Sequence, residues 1–346
     1  MNSDLVLEGG GVKGIAHVGA VTALTEAGYT FSRVAGTSAG AIVASLVAAN
    51  MTPQKMQQEL RSIDYTKFRD PTDLSRWTVV GEGASVLLEK GIYRGDYFHN
   101  WINQELASQG VQTFRDLKIT NDPGSSLPPE ESYRLVVMTA DLSRGELVRL
   151  PWDYPKYGLD PDSQLVADAV RASMSIPFFF KPVTVRSVID KATCWLVDGG
   201  ALSNFPIDIF DRNDGQPPRW PTFGIKLSAL PNANQVAHVI TDTSSFVEAL
   251  LSTMLNAHDQ MHLNDPCVIA RTIFVETFDV QAVNFDIDAQ TQQKLYDSGY
   301  TKATDFLKQW DWQNYLTQCR SGQPVLSART GDNPPGPIGS EAASTG

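Results

Sequence analysis

The chain has 346 residues, of which 42% are hydrophobic, enough for a substantial core in one large domain or two ordinary ones. With 28 basic against 39 acidic residues its formal charge is -11, which argues against nucleic acid as the main partner and against electrostatic capture by anionic membranes. Any lipid contact has to be mainly apolar.

The first fifty residues alternate strand and helix. Leu5 to Leu7 reads as a strand, Ile15 to Glu26 as a helix, Phe31 to Ala35 as a second strand and Ser38 to Ala49 as a second helix. That alternation is the signature of a mostly parallel sheet covered by helices, a three-layer α/β/α sandwich. No charge falls between Ala39 and Val47, so the second helix should be buried on every side, yet it is too short to span a bilayer. Residues 51–130 are more polar and irregular; with helices expected at Met56 to Ile63 and Tyr97 to Leu106, they read as a cap or insertion over the sheet.

Beyond the insertion, Arg134 to Ala140 reads as a strand that turns into a hairpin partner at Glu146 to Leu150. Ser163 is expected to cap a helix running through Ser173 and ended by Pro177. Strand patterns recur at Val183 to Ile189, Cys194 to Val197, Phe223 to Leu227 and Val268 to Val275. Asp288 should cap a last helix, Ala289 to Trp310, with Leu295, Ala303, Phe306, Leu307 and Trp310 inward. The domain thus spans 1–320, and the Gly-, Pro- and Ser-rich residues 321–346 are expected to be a disordered tail.

Cys194, Cys267 and Cys319 are scattered, form no close metal-ligand pair and cannot all pair within one chain, so a reducing compartment is the easier reading. The chain enters its first strand after four residues, leaving no room for a signal peptide. The expectation is a cytoplasmic protein, with peripheral membrane contact at most.

Two glycine loops carry the chemistry. Gly9-Gly10-Gly11-Val12-Lys13-Gly14 follows the first strand, and Gly36-Thr37-Ser38-Ala39-Gly40 joins the second strand to its helix. A Gly-x-Ser-x-Gly turn can hold a serine out as a nucleophile, and an upstream glycine loop can aim backbone N–H groups at the oxyanion that attack creates. A capping serine with glycines for close packing is the bland alternative. The first loop also satisfies Gly-x-Gly-x-x-Gly, the rival being a dinucleotide site, but that site needs an acid about 20 residues on. None lies between Gly28 and Gly40.

Activating Ser38 takes a base. Asp198 is favoured, because Trp195-Leu196-Val197 reads as a strand delivering it into the turn Gly199-Gly200. A histidine base would have to be His17, His99, His238, His258 or His262, none of which sits beside a glycine turn. His258 and His262 are one helical turn apart, but without the Glu of a His-Glu-x-x-His helix no metal is implied.

The ordered set of Gly9 to Gly14 with Lys13 in the basic position, the elbow Gly36 to Gly40 and the turn Asp198-Gly199-Gly200 resembles the patatin-like phospholipase family. Ala172-Ser173, Ile176-Pro177, Phe180 and Pro182 resemble the family's segment before the acid strand, and Leu295, Gly299, Ala303 and Leu307 its closing helix. The resemblance implies a Ser38–Asp198 dyad without histidine, Gly10 and Gly11 as oxyanion donors, a lipid ester substrate and no cofactor. A non-catalytic lipid-binding scaffold is the remaining alternative. Trp152, Tyr154, Tyr157 and Phe178 to Phe180 are candidates for an acyl-binding or interfacial surface, or for core.

Overall fold

A computed structural model of the chain describes residues 1–70, 91–227, 265–278 and 280–320, with the single positions 240, 249 and 253. Residues 71–90 of the insertion, the tail at 321–346 and His238, His258 and His262 lie outside the described residues.

Strand β1 (Asn2–Leu7) leads through a short 3-10 turn at Gly11–Gly14 into α1 (Ile15–Glu26), and β2 (Thr30–Thr37) leads directly into α2 (Ala39–Ala48). The insertion supplies α3 (Pro53–Ser62), a 3-10 turn at Tyr65–Phe68, β3 (Gly91–Tyr93) and α4 (Asp96–Ser108). Then come β4 (Leu135–Asp141), β5 (Glu146–Leu150), α5 (Val166–Ser173), β6 (Phe178–Phe180), β7 (Val183–Arg186), β8 (Thr193–Asp198) and β9 (Thr222–Lys226). The chain closes with α6 (Pro266–Ile269), β10 (Thr272–Phe274), α7 (Ala289–Gln309) and α8 (Trp312–Cys319).

Eight strands form one sheet in the order β10-β9-β1-β2-β4-β8-β7, with β5 paired to β4. The four pairings from β10 to β4 are parallel, and those of β4 with β5 and β8, and of β8 with β7, are antiparallel. The mostly parallel α/β architecture expected from the strand-helix alternation is the one the chain adopts. β1 lies inside the sheet and is buried from Ser3 onward, as befits a strand covered on both faces. α2 is buried at every residue, matching its charge-free sequence.

Register fixes the site. Leu7 pairs with Gly36, so the loop after β1 and the elbow after β2 leave the sheet at the same edge. Thr37 pairs with Met138 on β4, and the next β4 residue, Thr139, pairs with Asp198 on β8. Ser38 and Asp198 are therefore about two strand spacings apart, roughly 10 Å of backbone that two converging side chains can bridge.

α7 is clamped on α1 by facing glycines. A Cβ on Gly19 would sit 2.0 Å from the Tyr296 carbonyl oxygen, and one on Gly299 would sit 1.9 Å from that of Ala16. Asp288 caps α7, accepting from the Thr291 amide at 2.7 Å, as expected.

Three expectations are corrected. Ser163 does not cap α5: it ends a 3-10 turn that Asp160 caps, and the helix starts at Val166. The run Val268 to Val275 is not one strand, because Asp265 caps a helical turn that Pro266 opens, and only Thr272–Phe274 is extended. Cys267 and Cys319 form a disulfide between α6 and the end of α8, with Cα atoms 5.5 Å apart, while Cys194 is a buried free thiol. That bond runs against the reducing compartment inferred from the cysteine spacing. No helix among the described residues is long and apolar enough to cross a membrane.

Candidate active site

Ser38 is the single residue between β2 and α2, with φ 53° and ψ -123°, a conformation that non-glycine residues adopt at a cost of about 1–3 kcal/mol. Its amide donates to Ser173 Oγ at 2.8 Å, and the Ser173 hydroxyl donates to the Met138 carbonyl at 2.7 Å. The flanking glycines are required by space: a Cβ on Gly36 would lie 2.4 Å from the Gly40 carbonyl oxygen, and one on Gly40 would lie 2.3 Å from that of Leu7. Ser38 is 4% exposed and its Oγ lies 3.6 Å from Met174 Sδ. It also sits at the positive end of the α2 dipole.

The first glycine loop packs directly on this elbow. A Cβ on Gly9 would come 3.2 Å from Ser38 Cβ, and one on Gly14 would come 3.4 Å from Ala39 Cβ. Gly11 has φ +56°, and a side chain there would strike the Ala282 carbonyl oxygen at 1.9 Å. That carbonyl accepts the Val12 amide at 3.0 Å, while Gly9 donates to the Asn204 carbonyl at 3.1 Å and Lys13 to that of Gly10 at 3.2 Å. The amides of Gly10 and Gly11 are left without a backbone acceptor among the described residues.

Beneath the loop, Glu8 pairs with Lys226 in a buried salt bridge and accepts the Leu227 amide. Leu227 in turn fills the space against Gly10, with Cδ1 2.5 Å from the position of a Cβ there. Lys13 is partly buried, and desolvation lowers its pKa against the opposing pull of Glu8.

Asp198 ends β8 and is 2% exposed. Its carboxylate accepts the Gly200 amide at 2.9 Å, and its own amide donates to the Ser175 carbonyl at 3.0 Å. Burial pushes its carboxyl up to about 7, against the downward pull of the Gly200 amide and of hydrogen bonding from Ser38. A Cβ on Gly199 would sit 2.5 Å from the Met138 carbonyl oxygen, the same oxygen that accepts from Ser173. Elbow and acid turn are thus keyed to one peptide of β4.

The two described histidines stand apart from this pair. His17 is fully buried, its Nε2 donates to the Glu8 carbonyl at 2.8 Å, and desolvation lowers its pKa to about 4. His99 Nε2 bonds Asp168 at 2.7 Å on the surface. Of the aromatic candidates, Trp152, Tyr154, Tyr157 and Phe180 are core, and only Phe178 is exposed. Sequence reasoning assigned no role to Ser173, Met174, Asn204 or Ala282. The visible signal was Ala172-Ser173, which falls in the segment that resembles the family's lead into the acid strand.

A profile of the patatin-like phospholipase family matches residues 5–211. YqhO of Bacillus subtilis is 36% identical over 318 residues, covering 90% of this chain and 100% of that protein. Triacylglycerol lipase 5 of Saccharomyces cerevisiae is 30% identical over 205 residues, 58% of this chain and 24% of the lipase. Among solved structures, VipD from Legionella pneumophila superposes with a TM-score of 0.48 at 18% identity, over 88% of this chain and 66% of that one. With the profile covering both glycine loops and the acid turn, and the alignment to YqhO running its full length, the chain belongs to the patatin-like phospholipase family.

Proposed function

We propose that the protein is a serine lipid acyl hydrolase in which Ser38 is the nucleophile and Asp198 the proton acceptor. Ser38 Oγ attacks the ester carbonyl and its proton passes to Asp198, while the Gly10 and Gly11 amides take the oxyanion. As the tetrahedral species collapses, Asp198 returns the proton to the leaving alcohol. Water, deprotonated by the same carboxylate, then attacks the acyl-enzyme and releases the fatty acid.

The observation that carries this reading is geometric: a buried Asp198 ends β8 one β4 residue from the strained elbow that holds Ser38, and that burial raises its carboxyl to about 7. A carboxylate near the ordinary 3.8 is a poor acceptor for a hydroxyl proton; burial brings the acceptor about three units closer to its task. Family membership and the name of the yeast relative support lipid esters as substrates, and contact with a lipid surface follows as part of the proposal. The dinucleotide alternative gains nothing, since β2 ends at Thr37 and is followed by Ser38, not by a ribose-binding acid.

A fluorophosphonate probe with mass-spectrometric site mapping tests it, alongside hydrolysis of a fluorogenic acyl ester. Labelling is expected at Ser38 and nowhere else, and Ser38→Ala should lose labelling and about 1000-fold or more in turnover. Full activity in that variant, or labelling at a different residue, overturns the proposal.

A further inference from the structure

The residues that end α5 and follow it touch both members of the proposed dyad. Ser173 Oγ takes the Ser38 amide, Met174 Sδ lies 3.6 Å from Ser38 Oγ, and the Ser175 carbonyl takes the Asp198 amide at 3.0 Å. This short run therefore spaces nucleophile from base. What holds the run is Arg171, one helical turn before Ser175 and 7% exposed. Its Nη1 donates to Ser175 Oγ at 2.6 Å, while Nη2 donates to the Lys181 carbonyl at 3.1 Å and to that of Arg94. Arg94 belongs to the insertion, just ahead of α4, and Lys181 joins β6 to β7. These partners are uncharged oxygens, and Asp70 and Asp96 pull on the guanidinium only through space. Gly95 completes the arrangement from the insertion side: it has φ +76°, and a Cβ there would lie 2.3 Å from Arg171 Nε.

Resting on the acyl hydrolase reading, we infer that Arg171 is a positioning residue for Ser38 and Asp198, and that through it the insertion, at Arg94 and Gly95, sets the spacing of the pair. A planar guanidinium suits the task, because its donors point in fixed directions and here meet acceptors from separate chain segments at once. A displaced guanidinium releases the Ser175 hydroxyl, the Ser175 peptide shifts, and Asp198 moves with it because its amide hangs on that carbonyl. A misplacement of about 1 Å in a reacting group can cost about 100-fold in rate.

Two substitutions disturb the fork from opposite ends. Ser175→Ala removes the acceptor nearest the base but leaves the Ser175 carbonyl, and Gly95→Ala drives a methyl group into the guanidinium from the insertion. Each should lower kcat for a soluble fluorogenic ester about tenfold or more with KM little changed. Each should also lower the midpoint of the kcat–pH profile by about half a unit or more, because a displaced Asp198 is better hydrated and ionises more readily. Ser175→Thr keeps a hydroxyl and should recover part of both effects. Gly110→Ala is the control: at φ +78° it imposes the same backbone strain, with nothing within 4 Å of the added Cβ, and it should match the wild type in kcat and midpoint.

Wild-type kcat and midpoint in either Ser175→Ala or Gly95→Ala overturn the inference, as does a fall in kcat that Gly110→Ala shares or that leaves the midpoint unmoved. Those results with Ser38 still labelled by the fluorophosphonate leave the hydrolase reading standing. Absent labelling and absent hydrolysis in the wild type remove both.

Discussion

Asp198→Asn should make the protein more stable and at the same time inactive. Ionised Asp198 is fully desolvated in the folded chain, where its pKa is about 7 against 3.8 in the unfolded one. Below pH 3.8 both states are protonated and the residue contributes no difference. As pH rises toward 7, the unfolded chain releases a proton that the folded chain keeps, so stability is progressively lost; above about 7 the loss is complete. Three pKa units correspond to about 4 kcal/mol, or about 6 °C in Tm for a domain of this size.

Asparagine keeps the shape and can accept the Gly200 amide without ever ionising. Its advantage over wild type should therefore be small, about 0.6 kcal/mol, at pH 4 and reach about 4 kcal/mol at pH 8, read by urea unfolding at both pH values. Turnover at pH 8 should fall about 100- to 10,000-fold, while the wild-type rate should drop about tenfold per pH unit below 7. A variant that hydrolyses esters at the wild-type rate, or a wild-type profile flat from pH 5 to 8, refutes the assignment of Asp198 as base. Equal stability of the two proteins at pH 8 refutes the desolvation argument behind it.

Ser173→Ala leaves the buried Ser38 amide without its acceptor, at about 1–3 kcal/mol of stability. Because the clamp sets the position of the proposed nucleophile, kcat should fall about tenfold or more with KM little changed, and Ser173→Thr should recover part of it; an unchanged kcat assigns the hydroxyl to packing alone. The Cys267–Cys319 bond spans 52 residues, so its loss in Cys267→Ser should cost about 4 kcal/mol by loop entropy. A Tm identical to wild type under oxidising conditions would show that the bond does not constrain the folded domain.

What the sequence made legible was what depends on local chain geometry. The loops at Gly9–Gly14 and Gly36–Gly40 announce themselves because no side chain fits where backbone approaches backbone, and the acid turn because a strand ends in Asp-Gly-Gly. The hairpin of β4 and β5 and the Asp288 cap follow from the same local rules. What was not legible depends on contacts made at long range. Ser173 bonds Ser38 across 135 residues, and Ala282 shapes Gly11 and Val12 from about 270 residues away. Nothing in a spacing of 52 marks Cys267 and Cys319 as partners. Where local rules misled, a better local competitor was present: Asp160 took the cap expected of Ser163, and Asp265-Pro266 began a helical turn inside an apolar run.

The carbonyl of Ala282 has a temporal implication. The family profile matches residues 5–211, yet the first glycine loop takes its shape from a residue more than seventy positions further on. At ordinary translation speeds the ribosome needs roughly 4 to 14 s to make that stretch. During that interval the nascent chain holds Ser38 and Asp198 but not the carbonyl that fixes Val12 in the first glycine loop. The geometry of the first glycine loop is thus completed only near the end of synthesis, after every residue of the elbow and the acid turn has already been made.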